Sequence, residues 1–251
     1  MLHNYHTHTK RCKHAVGEDR EYVENAVRGG LKTLGFSDHA PYPAIDCKKP
    51  SGFRVELDEA QGYVESVRAL AKEYEKDIRI LCGFELEYYP ALHAEEMAYL
   101  KTLNPDYLIL GQHFIHNQTD GKASIRLETD EELIQYVTQA LEGLKTGDFL
   151  YFAHPDIPSL QFSKEVVTRE YRRLCEGAKA LHIPLEINLL GVRDHRQYPS
   201  RTFFKIAAEV GNQVVIGCDA HDPNDIPDPA SEKIARTMAQ ELGLQILEKL
   251  I

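Results

Sequence analysis

The sequence predicts an α/β fold whose parallel strands close into a (β/α)7 barrel. Three observations predict it. Seven short apolar or β-rich runs alternate with seven helical stretches, no repeat, low-complexity segment or Ser/Gly linker interrupts them, and potential ligand residues follow six of the seven runs. An open doubly wound sheet gathers its ligands at one switch point, whereas a closed barrel brings the C-terminal ends of all its strands to one ring. The spread of polar residues over so many strand ends therefore favours closure. At 251 residues the expectation is one domain spanning 1–251, a length that barrels commonly occupy as a single unit.

Taken in order, LHNYH (2–6) reads as the first strand, and GEDREYVENAVRGG (17–30) as a helix with an acidic first turn, an amphipathic body and a glycine stop. TLGFS (33–37) is the second strand. VELDEAQGYVESVRALAKEYEK (55–76) carries apolar residues at helical spacing with Glu/Lys pairs outside. IRILCGFE (78–85), DYLILGQ (106–112), FLYFA (149–153), IPLEINL (183–189) and VVIGC (214–218) supply the other strands. Helical patterns near 93–103, 130–146, 163–182, 201–211 and 231–250 complete the alternation.

Composition narrows the function. An apolar fraction of 43% supports a substantial core, and no run of 18 or more apolar residues exists to form a membrane-spanning helix. The opening MLHNYHTH has no basic stretch followed by an apolar one, so no secretory signal is expected. Cys12, Cys47, Cys82, Cys175 and Cys218 are odd in number, widely spaced and form no CxxC pair, which predicts reduced thiols in a cytoplasmic protein. The net charge of −10, with acidic residues spread along the chain, disfavours a long nucleic acid as partner.

The chemistry begins in HNYHTHTKRCKH, residues 3–14. In an extended strand, residues two apart share a side, so Asn4, His6 and His8 face one way and two imidazoles can reach one ion. The same spacing relates Glu85 to Glu87 in GFELEY and Asp219 to His221 in GCDAH. Imidazole and carboxylate together suit zinc, manganese or iron(II), and one glutamate can bridge two cations. Each piece alone reads as easily as a polar strand end, a hydrogen-bonded core histidine or an Asx turn. Their joint placement, together with His39, His113 and His154, directly after apolar β runs is what points to a metal cluster. His3, His93, His116, His182 and His195 lack that placement and read as structural or substrate-side.

The segments HTHTKRCKHA, GFSDHAPY, LCGFELEYYP, GQHF, AHPD and CDAHDP, in this order, resemble the PHP (polymerase and histidinol phosphatase) family over essentially the whole chain. GFELEYYP and the GVR…YPS segment are most similar to its histidinol-phosphatase branch. The resemblance implies a distorted seven-stranded barrel holding three divalent metal ions. His6, His8, Glu85 and Asp219 would hold one ion. Glu85 would bridge to a second, completed by His113 and His154. His14, His39 and His221 would hold the third, with Asp38 orienting an imidazole from behind. Two positions depart from the family pattern: Asn4 stands where an aspartate is frequent, and GQH replaces GSVH at the fourth strand end.

Three clustered cations favour an anionic substrate, above all a phosphate, because they reverse the local field of an acidic protein. They would also bring a bound water toward its pKa at neutrality and so deliver hydroxide to phosphorus. The expected catalytic residues are Glu85, Asp219 and Arg193, the last offering a guanidinium fork to phosphate oxygens from LGVRDHRQYPSR. Arg196, His195 and Arg201 are weaker candidates, and Lys10, Arg11 and Lys13 could add positive charge near the third ion. Rim loops 40–56 and 113–130, with Tyr42, Glu87, Tyr88, Tyr89 and Phe114, would shape the substrate pocket.

The implied function is a phosphomonoesterase acting on a small-molecule phosphate monoester, L-histidinol phosphate, in histidine biosynthesis. Alternatives are a broader phosphoesterase for nucleotide, sugar or oligonucleotide phosphates, an amidohydrolase-type enzyme with fewer metals, and an inactive metal-binding module.

Overall fold

Alternating hydrophobic periods do become alternating elements. A computed structural model describes residues 1–46, 52–158 and 161–251. The centre of the expected rim loop 40–56, Cys47 included, lies outside the described residues. The strands are β1 His3–Asn4, β2 Thr33–His39, β3 Arg79–Leu86, β4 Tyr107–Leu110, β5 Leu185–Asn188, β6 Gln213–Gly217 and β7 Gln245–Ile246. The helices are α1 Asp19–Arg28, α2 Pro43–Asp46, α3 Ala60–Glu73, α4 His93–Leu103, α5 Asp130–Leu144, α6 Lys164–Ala180, α7 Leu189–Arg193, α8 Arg201–Val210 and α9 Pro229–Leu242. Strand order is β1-β2-β3-β4 in one sheet and β5-β6-β7 in another. No helix among the described residues is long and apolar enough to cross a membrane.

The chain divides into two compact units. The first comprises 1–86, 91–109 and 217–229. In it, β1 pairs parallel with β2 and β2 with β3, in a register that sets His39 beside Glu85. All seven residues of β2 are buried, as a parallel strand covered on both faces requires. Gly35 and Gly83 leave room for Tyr107. A Cβ on Gly35 would lie 2.3 Å from the Tyr107 hydroxyl, and one on Gly83 would lie 2.7 Å from its ring. That hydroxyl sits 2.8 Å from Tyr5 O and 3.0 Å from Phe36 O, so one buried donor ties two neighbouring segments.

The second unit comprises 87–90, 110–216 and 230–251. Its helices begin at well-formed caps. Thr129 and Glu132 make a reciprocal capping box at α5, Ser163 accepts from Val166 N at α6, and Ser200 accepts from Phe203 N at α8. Gly211, at φ 85°, ends α8 in the left-handed turn that favours glycine.

Three expectations change. FLYFA forms no named strand: only Phe152 pairs, bridging in parallel to Leu110 on one side and Leu185 on the other. His154, at φ 70°, and Pro155 end the extended run at once. The last helix stops at Leu242 rather than reaching residue 250. Gly243, at φ 73°, breaks it, and Gln245–Ile246 pairs in parallel with β6. β1 is shorter than LHNYH because Asn4 folds back onto the chain after it. Its Oδ1 accepts from His6 N, and its Nδ2 donates to Thr7 Oγ1 at 2.8 Å.

The glycine contacts give a paired prediction. Gly35→Ala should lower unfolding stability by about 1–3 kcal/mol through overpacking against Tyr107. Gly62→Ala, in α3 with open space around it, should raise stability by about 0.5–1 kcal/mol. Denaturant melts of the two variants test both signs.

Candidate metal centre

In the first unit a single parallel bridge, Thr7 to Ala220, explains how distant ligands meet. His8 N donates to Ala220 O at 2.9 Å, which fixes the pairing. With side chains alternating along each segment, His6 and His8 fall on the same side as Asp219 and His221. His6 Nε2 lies 3.5 Å from both Glu85 Oε2 and Asp219 Oδ1. His8 Nε2 lies 3.4 Å from Glu85 Oε2 and 3.2 Å from Asp219 Oδ1. From the β2–β3 register, His39 reaches Glu85 Oε2 with Nδ1 at 3.2 Å. The His8 and His221 rings stack at 4.2 Å, and His14 lies 4.7 Å from His221 between ring centroids.

Supporting groups aim these rings. Asp38 Oδ1 stands 3.5 Å from His8 Nδ1, while Asp38 Oδ2 accepts from Thr9 N at 3.1 Å and from the Thr9 hydroxyl. The carboxylate beside His39 in sequence thus backs His8. His14 Nδ1 binds Cys12 O at 2.7 Å and His221 Nδ1 binds Asp219 O at 3.2 Å, so each ring turns Nε2 away from the main chain. Asn4 Oδ1 accepts from Cys218 N at 2.9 Å and so joins the two ligand-bearing segments from below. His3, by contrast, pairs with Thr33 of β2 through its Nδ1 at 2.9 Å. Asp219 itself adopts φ 47°, a left-handed conformation that costs about 1–3 kcal/mol in a non-glycine residue and recurs at functional sites.

The cluster fits a divalent cation. One donor atom each from His6, His8 and Glu85, and likewise from His8, His39 and His221, lie within 4.8 Å of one another. His8 is fully buried, yet neither ring nitrogen makes a hydrogen bond of acceptable geometry, and His221 Nε2 is buried in the same condition. Burial works against charge on His8, but Asp219 and Asp38 outweigh it and hold its pKa well above the ordinary value. Burial and the neighbouring His8 push His221 down to about 3. Burial would raise the Asp219 pKa, yet the charge of His6 and His8 holds it well below the carboxylate range.

The second unit carries its own group. Glu87 Oε1 lies 3.1 Å from His113 Nδ1, and the His113 and His154 rings meet edge to face at 5.1 Å. β3 ends at Leu86; Glu85, within it, lies beside His6, His8 and His39, and Glu87, just past it, lies beside His113. His154, like Asp219, has positive φ. Asp156 and Glu186 are both buried, and burial with the charge of Glu186 lifts Asp156 to about 7. The sequence reading did not single out either carboxylate. The AHPD motif carried the signal for Asp156, while nothing in IPLEINL marks Glu186.

Arg193 is half-buried as the last residue of α7 rather than a loop residue. It is Arg196 that pairs with Asp194, at 2.8 Å, and Arg201 pairs with Glu241 at 2.8 Å. Lys10, Arg11 and Lys13 are also paired, with Glu18, Asp19 and Glu59 respectively. Their expected surplus of positive charge is therefore cancelled locally.

Comparison with known proteins gives the same picture. A family model described as "PHP domain" matches residues 4–189. A protein of Deinococcus radiodurans named "Probable histidinol-phosphatase" is 25% identical over 235 residues, 88% of this chain and 86% of that protein. The histidinol-phosphatase of Bacillus subtilis is 29% identical over 140 residues, covering 54% of this chain and 51% of its own. The crystal structure of a histidinol phosphate phosphatase from Lactococcus lactis, complexed with zinc, L-histidinol and phosphate, superposes with a TM-score of 0.75 at 19% identity, over 99% of this chain and 96% of that one. This likeness establishes the α/β, PHP-type barrel fold.

Zinc at a hundredfold excess over its dissociation constant should stabilise the chain by about 2.7 kcal/mol per occupied site. The shift should be much smaller in Asp219→Ala, as thermal melts with and without zinc would show.

Proposed function

The chain belongs to the PHP domain family, and on that premise we propose that it is a metal-dependent phosphomonoesterase that hydrolyses L-histidinol phosphate to L-histidinol and inorganic phosphate. The observation that carries the reading is the set of buried His6, His8, His39, Glu85 and Asp219 with half-buried His221, gathered in the first unit with donor atoms a few ångströms apart. Such a set serves a cation. The relatives that match this family are named for one phosphate monoester.

In this reading the centre takes three divalent ions, zinc, manganese or iron. His6, His8, Glu85 and Asp219 would hold the first, His113 and His154 would serve a second, and His14, His39 and His221 would hold the third. When bound, these ions supply Lewis acidity, a nucleophile at neutral pH and neutralisation of the charge that develops on phosphoryl oxygens. The side chains do the rest. Asp38 fixes the tautomer and direction of His8, so that its Nε2 lone pair faces the carboxylates. The strained backbone at Asp219 points its carboxylate at the same centre as Glu85. Arg193 binds phosphate oxygens as a fork and keeps phosphorus in line for attack.

L-Histidinol phosphate also carries an ammonium and an imidazole. Glu87, Tyr88, Tyr89, Tyr42 and Phe114 are the proposed lining for them. The reaction would serve histidine biosynthesis in the cytoplasm.

A phosphate-release panel with zinc, manganese and iron supplied separately tests the substrate. kcat/KM for L-histidinol phosphate should exceed that for nucleotide, sugar and oligonucleotide phosphates; equal values across the panel would replace the reading with a broad phosphoesterase. His8→Ala and Asp219→Ala should abolish turnover while circular dichroism stays unchanged. Wild-type activity in both would remove the ligand assignment. Arg193→Ala should lower kcat/KM by on the order of ten- to a hundredfold, the loss of a charge-assisted hydrogen-bond pair to phosphate.

A further inference from the structure

Cys12 is wholly buried in the short helical turn Lys10–Cys12, four residues after His8. It is not a thiol lost among apolar side chains. One donor atom each from Cys12, His14 and His221 lie within 4.8 Å of one another, and Cys12 also groups with His8 and Asp38 at that spacing.

Three independent anchors build this arrangement. Thr9 caps the turn through its side chain and is itself held by Asp38 Oδ2. Lys13 then adopts φ 70°, a left-handed reversal that turns His14 back until its Nδ1 meets Cys12 O at 2.7 Å. Two residues on, Val16 N donates to His221 O at 2.8 Å and ties the loop to the third donor. His221 Nε2 is buried there without a hydrogen-bond partner.

We propose that Cys12 is a sulfur ligand of the ion held by His14 and His221, making one position of the centre a mixed thiolate–imidazole site that prefers zinc to manganese. The inference rests on the reading of this cluster as a metal centre. Thiolate with imidazole is a donor set that suits zinc, while manganese favours oxygen donors. Binding proceeds without redox change: the S–H bond breaks heterolytically, the sulfur electron pair forms the bond to the cation, and the proton passes to solvent. The left-handed Lys13 closes this turn, its N–H donating to Lys10 O at 3.1 Å. The other described cysteines do not have this setting. Cys82 lies within β3, Cys175 within α6, and Cys218 follows β6 with its Sγ 3.5 Å from Met1 Sδ.

Cobalt(II), added to the metal-stripped full-length chain, is the probe. The wild type should show a sulfur-to-cobalt charge-transfer absorption in the near ultraviolet. Cys12→Ser should lose it, and Cys175→Ala should keep it. In mixed zinc and manganese, Cys12→Ser should take up a larger share of manganese than the wild type, as measured by elemental analysis. Cobalt bound by the wild type without that absorption, or an unchanged absorption in Cys12→Ser, overturns the inference and leaves the metal reading standing. The wild-type spectrum decides this even if Cys12→Ser fails to fold. A wild-type chain that binds no cobalt overturns both.

Discussion

Two carboxylates, Glu85 and Asp219, are buried against imidazoles in the first unit. Removing an ionised carboxylate from water costs several kcal/mol even after the protein relaxes around it. Neutral imidazoles accept or donate a hydrogen bond but bring no positive charge of their own. Only protons or cations can balance the site. The carboxylates hold the His8 pKa up, while burial and the charge of His8 push the stacked His221 down. Cations remove that conflict, since each ring then offers a lone pair instead of competing for a proton. In the proposed metal-bound state an acidic protein would gain a positive centre, the condition for attracting a phosphate ester.

The surrounding structure holds that centre to a narrow geometry. Asp38 does so from two sides, since it faces His8 and anchors Thr9, whose turn carries Cys12. Asn4 links the first ligand segment to the last through Cys218 N, and Tyr107 holds Tyr5 and Phe36 beneath them. Asp38, Asn4 and Tyr107 act on the donors from behind. They lock rotamers and backbone so that donors stand ready before a ligand arrives, and the left-handed Asp219 is the strain that such support tolerates.

Much of this was legible in the sequence because it follows local rules. The period-two pairs HTH and DAH, and the carboxylate of GFELEY, read out as donors once strand ends were located. The helix expected near 93–103 is His93–Leu103, ended by Asn104 in a left-handed turn. What escaped was tertiary. FLYFA has the composition of a strand, and Tyr151, Phe152 and Ala153 make backbone bonds to their neighbours, yet among the described residues it is only Phe152 that bridges before His154 turns the chain. Gly243 stood in plain view as a helix stop, but strand pairing of two residues after it has too little pattern to be read. The basic triplet Lys10, Arg11 and Lys13 looked like a positive patch because its partners Glu18, Asp19 and Glu59 are farther along the chain. Cys12 was hidden for a similar reason. Its partner His221 lies 209 positions along the chain, and only the fold brings the two together.

The Asn4–Cys218 hydrogen bond joins residues 214 positions apart. A ribosome adding about 5–20 residues per second therefore exposes His6 and His8 for roughly 10–40 s before their partner carboxylate at Asp219 even exists. During that interval the nascent chain presents an incomplete chelator, able to catch ions but not to hold them in the mature geometry. The geometry of this cluster is thus set late, when the segment around Asp219 finally joins the one that was made first.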